Sequence, residues 1–181
     1  MEGITNPMDT ALLILRLVVG LYVTAHGAQK LFGWFEGHGF SKTQGFVGGM
    51  LGYRPAWLWT LAVSVAEFVG GLLFVLGLLS PIGAIGVAAA MLSATLVPHW
   101  PKGPFAAKGG YEQTLTNLAV AVGVGLAGPG VYSLDRVLGI NVPTVYSEAI
   151  ALVALLGVLV GIISRRAAAA QPQAQTQANA A

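Results

Sequence analysis

The sequence predicts an all-α integral membrane protein built as a helical bundle. Of its 181 residues, 55% are hydrophobic and only 9% are charged, and the mean hydropathy is +0.73. A soluble domain carries about 25% charged residues, so this chain is too apolar to be a water-soluble globule. Five apolar stretches of about 20 residues each, the length that crosses a bilayer, occupy most of the sequence.

Breaker residues set the bounds of the five predicted spans. Span one begins after Pro7 and ends at the glycine-rich segment 33–39, and span two starts at Pro55, because proline fits the first helical position. The short turn Ser80-Pro81 requires spans two and three to form an antiparallel hairpin. The predicted spans are Thr10–Phe32, Pro55–Leu79, Ile82–Val97, Glu112–Ala127 and Val145–Ile163.

The distribution of basic residues predicts the orientation of these spans. If the C-terminus is cytoplasmic, seven of the nine Lys and Arg residues fall on the cytoplasmic side, as the positive-inside rule requires. Arg136 alone is then external, and Arg16 lies inside span one. We therefore expect the N-terminus outside and the C-terminus in the cytoplasm. The bases are dispersed and lack interleaved aromatic residues, so no nucleic-acid partner is expected.

The chain divides into four predicted segments. A short N-terminal segment (1–9) precedes a membrane domain of four helices (10–138). The fifth transmembrane helix (139–166) ends at a basic stop, and an Ala/Gln-rich tail (167–181) is expected to be disordered. The spacing Gly157-x-x-x-Gly161 is typical of contacts between membrane helices, either within the chain or in a homodimer.

Few ionisable residues lie in or beside the apolar spans, and each is a candidate for function because charge in hydrocarbon is costly. The predicted topology brings the end of span one, the end of span three and the start of span four to one membrane face. His26 and Lys30 are four residues apart and share a helical face. The candidate catalytic residues are His26, Glu67, His99 and Glu112, and the candidate ligand-binding residues are Arg16, Gln29, Lys30, Trp100 and Tyr111.

Glu67 is the most deeply placed acid. It stands about eleven residues into span two, roughly 16 Å below the membrane surface. A carboxylate at this depth needs a partner or a proton. Two alternatives follow: a structural ion pair with Arg16 across spans one and two, or a relay or ligand carboxylate in a chain that reaches His26.

Other chemistries have weaker signals. His26, His99 and Glu112 resemble a set of metal ligands, but no short ligand spacing supports one, and two histidines alone are a poor indication of haem. With no cysteine present, disulfides, iron–sulfur clusters and thiolate nucleophiles are excluded. We predict no metal, haem or flavin. Trp100, next to His99, either anchors a helix at headgroup depth or forms a wall for a flat apolar ligand such as a quinone.

Three segments carry a resemblance to a known family. They are RLVVGLYVTAHGAQKLFGW from Arg16, AEFVGGLLFVLGLLSPIGA around Glu67, and HWPKGPFAAKGGYEQTLTNLAVAVGVGLAGPGVYSLD from His99. Over about residues 10–138 the chain resembles the DoxX family of small bacterial membrane proteins. The resemblance implies a four-helix transmembrane bundle in a bacterial inner membrane, to which this chain adds a fifth helix. The family pattern falls on Arg16, His26, Gln29, Lys30, Gly33, Glu67, His99, Gly109, Gly110, Tyr111 and Glu112.

The resemblance also implies a redox function. DoxX-like proteins resemble the membrane subunit of thiosulfate:quinone oxidoreductases, and a mycobacterial member is associated with an oxidoreductase complex that contains superoxide dismutase and a sulfurtransferase. The leading hypothesis is therefore a membrane subunit that binds a quinone near the cytoplasmic face and receives electrons from a soluble partner. His26 and His99 would donate hydrogen bonds or protons, Glu67 and Glu112 would pass protons, and Lys30 would stabilise negative charge.

Two other function classes compete with this hypothesis. The first is a non-enzymatic scaffold whose basic loops recruit soluble redox or detoxification proteins to the membrane. The second is a small-solute carrier or channel, for which the expected broken helices and paired repeats are not evident.

Overall fold

The fold is a helical bundle, as predicted. A computed structural model describes residues 6–178, and side chains up to Arg165; within this range the regular structure is helical throughout. Short π-helical turns, Phe46–Met50 and Thr95–His99, follow α2 and α4 directly. The helices are α1 (Pro7–Phe32), α2 (Gly39–Gly45), α3 (Ala56–Leu76), α4 (Ile82–Ala94), α5 (Glu112–Ala127), α6 (Leu134–Leu138) and α7 (Thr144–Ala178).

Four helical segments of the described chain are long and apolar enough to cross a membrane. They are Pro7–Phe32, Ala56–Leu76, Ile82–Lys102 and Thr144–Arg165. Helix α5 has the bounds that the sequence predicted, and its 16 residues make it shorter than these four. Helix α5 nevertheless runs from one end of the bundle to the other. At its start, the backbone N–H of Glu112 donates to the carbonyl of Pro104. Just past its last turn, the carbonyl of Pro129 accepts from Arg16 at the opposite end.

The bundle has two chemically different ends. The first, called the Arg16 end, contains the turn between α3 and α4, the end of α5 and helix α6. The second, called the basic end, contains the last turn of α1, segment 33–55 and loop 98–111. The N-terminal turn of α1 lies towards the Arg16 end, and α7 reaches the basic end, where Arg165 donates to the carbonyl of Leu51. The described cations of the basic end are Lys30, Lys42, Arg54, Lys102, Lys108 and Arg165.

Helices α1 and α3 pack antiparallel with their backbones in contact. A Cβ atom on Gly27 would lie 2.4 Å from the backbone nitrogen of Phe68, and one on Gly71 would lie 2.4 Å from the hydroxyl of Thr24. Only glycine allows the two backbones to come this close. The resulting van der Waals packing holds the helices together, since the hydrophobic effect does not drive helices together in lipid. Gly27 and Gly71 therefore serve packing within the chain, one of the two roles that the sequence allowed for small residues, whereas a Cβ atom on Gly123 or Gly157 would have no neighbour within 4 Å.

Glycines also fix two helix ends. Helix α1 ends at Phe32 because Gly33 adopts a left-handed conformation with φ of 75°. Helix α3 ends at Leu76, three residues before the predicted end. Gly77 there has φ of 59°, and the N–H of Leu78 reaches back to the carbonyl of Leu73 at 3.0 Å. This hydrogen-bond pattern closes the helix, although the following residues are apolar.

Helix α7 begins one residue before its predicted start and extends to Ala178. It thus continues into the Ala/Gln-rich segment 167–181 that the sequence predicts to be disordered. The side chains after Arg165, and residues 1–5 and 179–181 entirely, lie outside the described part of the chain. The disorder of the tail therefore stays a prediction.

Candidate functional site

A buried ion pair joins α1 to α3. The ammonium of Lys30 donates to the Oε2 atom of Glu67, whose side chain is 3% exposed, whereas the Lys30 side chain is 29% exposed. Lysine side chains in a helix lean towards its N-terminus, so Lys30 reaches from near the basic end down to the level of Glu67. The pair provides the partner that a carboxylate at this depth requires.

The predicted alternative pair, Arg16 with Glu67, is wrong. In the α1–α3 register, Gly20 lies against Val75 and Gly27 against Phe68. Arg16 is therefore level with the residues just past the end of α3, about three helical turns away from Glu67. The direction of both helices follows from the sequence, but the register that decides which residues meet does not.

Arg16 is instead surrounded by backbone carbonyls at the Arg16 end. Its guanidinium donates to the carbonyl oxygens of Phe74 at 3.1 Å, Val75 at 2.9 Å and Tyr132 at 3.0 Å, and also to that of Pro129. The residue is 2% exposed. A guanidinium has five N–H donors in a fixed planar arrangement, so one side chain connects α1, the end of α3 and the segment after α5. Arg16 is a structural residue, remote from the predicted ligand site.

A cavity of about 450 Å³ lies between α3, α4, α7 and the segment before α3. Its walls are mostly apolar, and many are small residues. Its volume falls within the range of about 300–1,000 Å³ that is typical of small-molecule sites. The polar residues that line it are Lys30, Thr43, Tyr53, Glu67, Ser93, His99 and Lys102.

The polar groups lie at different depths in this cavity. Gly70 of α3 packs on Gly86 of α4, so Glu67 is level with Ala89 in the antiparallel pair. His99 is ten residues further along α4, or roughly 15 Å nearer the basic end. The Lys30–Glu67 pair therefore marks the deep part of the cavity, and His99 marks its mouth.

Both π-helical turns border the cavity. Phe46 and Val47 come from the first, and Pro98 and His99 come from the second. π-helical turns are rare and occur frequently at functional sites, since the inserted residue changes the direction of nearby side chains. Pro98 lies inside the second turn, where its missing N–H disrupts regular α-helical hydrogen bonding.

The hydrogen bond of His99 indicates that its Nδ1 atom carries a hydrogen. The Nδ1 atom lies 2.7 Å from the carbonyl oxygen of Gly109. A carbonyl only accepts, so Nδ1 carries the hydrogen, and Nε2 is an acceptor in the neutral ring and a donor in the protonated one. The Nδ1 hydrogen bond thus fixes the position of the ring, and Nε2 is the ring nitrogen left for other contacts.

Two of the predicted residues on α1 face other parts of the fold. The ring of His26 packs edge-on against Tyr22, with centroids 4.6 Å apart, and the Tyr22 hydroxyl accepts from Gln113 of α5. Gln29 donates to the carbonyl of Phe35 at 3.1 Å and so supports the loop after α1. Neither side chain lines the cavity, so His26 and Lys30 share a helical face without sharing a site.

The remaining predicted residues lie on loop 98–111 and the start of α5. Trp100 stacks on Tyr111 with ring centroids 4.8 Å apart and an interplanar angle of 16°. Trp100 is 56% exposed, and Glu112 is exposed in the first turn of α5. These three residues shape the basic end but do not line the cavity.

Sequence reasoning missed part of the cavity wall. Tyr53 is 5% exposed, and its hydroxyl lies 3.3 Å from that of Ser93. The only signal for Tyr53 was an aromatic residue with a hydroxyl in a glycine-rich loop. Ala154 and Gly157 of α7 also line the cavity, although the sequence placed the fifth helix outside the site. Within the described residues, no group of three or more histidines or carboxylates is arranged to hold a metal ion.

Comparison with known families identifies the bundle. The family model described as DoxX matches residues 11–100, which include α1, α3 and α4 with the Lys30–Glu67 pair and His99. The chain belongs to the DoxX family of membrane proteins. No curated protein and no solved structure matches it. The DoxX match ends before α5 and α7, so one wall of the cavity comes from a helix outside the matched region.

Proposed function

We propose that this DoxX protein is the membrane subunit of a redox system and binds a quinone in the cavity beside Lys30 and Glu67. The observation that carries the proposal is a charged pair bordering an apolar cavity at membrane depth. A quinone combines a flat apolar ring with oxygen acceptors, which suits apolar walls and an ammonium donor. Charged residues at this depth are functional candidates by default.

The roles of the residues follow from their depth. Lys30 donates a hydrogen bond to a ring oxygen and stabilises negative charge there, while Glu67 orients Lys30 and takes up or releases a proton. At the mouth, His99 exchanges protons with the aqueous side through Nε2. Of the catalytic and binding residues predicted from the sequence, these assignments retain Lys30, Glu67 and His99. They omit His26 and Glu112, which do not line the cavity.

Reduction of a quinone takes up two electrons and two protons, and this chain supplies groups only for the protons. It contains no cysteine, so iron–sulfur and thiol centres must lie elsewhere. A soluble partner docked on the basic end delivers the electrons in this proposal. The exposed lysines of that end, Lys42 and Lys108, suit an acidic surface.

Binding of decyl-ubiquinone to purified protein in nanodiscs tests the site. The double variant Lys30→Met/Glu67→Gln removes both charges together and avoids a buried unpaired carboxylate. We expect it to weaken binding at least about tenfold, or roughly 1.4 kcal/mol. Lys108→Met, an exposed lysine of the same end, should bind as wild type does. Equal affinity of all three proteins would refute the assignment of the cavity.

A non-enzymatic scaffold is the second candidate, and the exposed basic loops favour it. In that case, Lys42→Ala/Lys108→Ala would abolish the capture of soluble proteins from a native membrane preparation. The variant Glu67→Gln would leave the capture unchanged. Loss of quinone-dependent electron transfer in Glu67→Gln, with capture intact, would favour the redox subunit instead.

We further propose that the basic end faces the cytoplasm of a bacterial inner membrane, as the positive-inside rule favours. The absence of native cysteine makes this simple to test. Single cysteines at Lys108 and at Arg136, which lie towards opposite ends of the bundle, are treated with a membrane-impermeant maleimide in spheroplasts. Labelling at position 136 and protection at position 108 is the expected result. The reverse pattern would invert the orientation.

A further inference from the structure

The fifth helix leaves a seam beside the cavity. Helix α7 packs along α4, and it meets α3 near the basic end, where Gly161 is placed against Trp59. Only 6% of the α7 span is buried, compared with 33% to 39% of the other three long spans. The side chain of Arg165 holds the same end through the carbonyl of Leu51, at 2.6 Å. Helix α7 is thus attached to the bundle mainly at the basic end and along α4.

Small residues line this seam on both sides. Ala62 and Ala66 of α3 face the cavity from one side, and Ala154 and Gly157 of α7 face it from the other. A Cβ atom on Gly157 would have no neighbour within 4 Å, so the glycine borders open space. Ala62 is exposed, so the α3 side of the seam is not covered by another helix of the described chain.

The volume of the cavity limits what fits inside it. A volume of about 450 Å³ suits the head group of a small-molecule ligand. A ligand whose apolar chain is too long for this volume keeps only its head group and part of the chain inside. A lipid-soluble ligand with such a chain must therefore leave the rest of the chain outside, and the hydrocarbon of the bilayer is the solvent that the chain prefers.

We propose that the seam between α3 and α7 is a lateral portal through which a membrane-dissolved amphiphile with one apolar chain enters the cavity, and that Gly157 keeps this portal open. The inference rests on the proposed function for the identity of the head group, a quinone ring, but not for the portal itself. In this proposal Gly157 determines which apolar chains of a ligand fit the portal. Gly157 lies outside residues 11–100, which the family model matches.

The experiment uses Trp59, which lines the cavity, as a local reporter. In a background with Trp34→Phe, Trp57→Phe and Trp100→Phe, Trp59 is the only tryptophan. The protein is placed in phosphatidylcholine vesicles and bromododecanol is added. Bromododecanol quenches the fluorescence of Trp59 when its chain occupies the portal. Gly157→Leu fills the open space and should reduce the quenching at least threefold. Gly123→Leu is the matched control, because Gly123 also lies inside a helix, is exposed and has no neighbour to meet.

The outcomes separate the portal from the proposed function. Equal quenching in Gly157→Leu and Gly123→Leu, or no quenching in the parent protein, would overturn the portal. If bromododecanol is excluded by Gly157→Leu while decyl-ubiquinone fails to bind the parent protein, the portal stands and the quinone assignment falls. If decyl-ubiquinone binds parent and Gly157→Leu equally, the portal falls and the quinone site stands. Should Gly157→Leu unfold, Ala154→Leu provides the same test one helical turn away.

Discussion

Arg16 and Lys30 are both cations of α1, but their surroundings differ in a way that separates a structural charge from a functional one. The guanidinium of Arg16 is 2% exposed and donates to four backbone carbonyls, which cannot change their charge. Lys30 meets a titratable carboxylate at the border of a cavity and is 29% exposed. Arg16 also has a carboxylate nearby, Asp135, but that carboxylate accepts from the backbone of Leu79 and Ser80. Of these two cations, only Lys30 bonds a carboxylate directly beside a cavity, so Lys30 can take part in chemistry whereas Arg16 fixes the fold.

The largest expected effect comes from removing the structural charge. Arg16→Met would leave the carbonyls of Phe74, Val75, Pro129 and Tyr132 without their donor, so we expect a loss of about 3 kcal/mol or more in the free energy of unfolding. Denaturant unfolding in detergent micelles measures it. Arg136→Met, an exposed arginine of the neighbouring helix α6, should change stability little. Equal stability of both variants would show that Arg16 does not hold the helices together.

The two partners of the Lys30–Glu67 pair should respond unequally. Lys30→Met leaves a carboxylate buried without its ammonium, and we expect a loss of about 2 kcal/mol. Glu67→Gln leaves a lysine that can turn towards the basic end and water, so a loss below about 1 kcal/mol is expected. Unfolding curves of the two single variants and of the double variant give the comparison. A larger loss for Glu67→Gln would mean that Lys30, and not Glu67, is the group that depends on the pair.

The smallest expected effect concerns the attachment of segment 33–55 at the basic end. Tyr53→Phe removes a long hydrogen bond of 3.3 Å to Ser93, so we expect a loss of about 0.5 kcal/mol. Thermal unfolding followed by circular dichroism measures it, with the exposed Tyr146→Phe as control. A loss comparable with that of Arg16→Met would show that this single hydrogen bond stabilises the fold as much as the four hydrogen bonds of Arg16 do.

The sequence predicted the fold to the extent that local signals determine it. Helix-breaking residues and composition predicted the direction of each helix. The predicted bounds of α5 agree with the structure. The end of α3 was placed three residues too late, because Gly77 closes a helix whose apolar composition continues to Leu79. A glycine is visible in the sequence, but whether a helix continues through it or ends there depends on the backbone conformation that the glycine adopts.

The site was predicted only in part, because helix rotation and register have no local signal. Lys30, Glu67 and His99 do line one cavity, whereas His26 turns towards Tyr22 and α5. The spacing of His26 and Lys30 correctly put them on one helical face, yet the longer lysine reaches a different neighbour. The position of Gly157 on the cavity wall was also missed, since its spacing to Gly161 indicated a close helix contact, whereas a Cβ atom on Gly157 would have no neighbour within 4 Å.

The carbonyls that surround Arg16 have a consequence for biogenesis. During synthesis α1 emerges long before its acceptors, since Pro129 and Tyr132 follow α5. A charge in hydrocarbon is costly until its partners are in place. The full set of acceptors for Arg16 therefore exists only after α5 and the segment that follows it have been made.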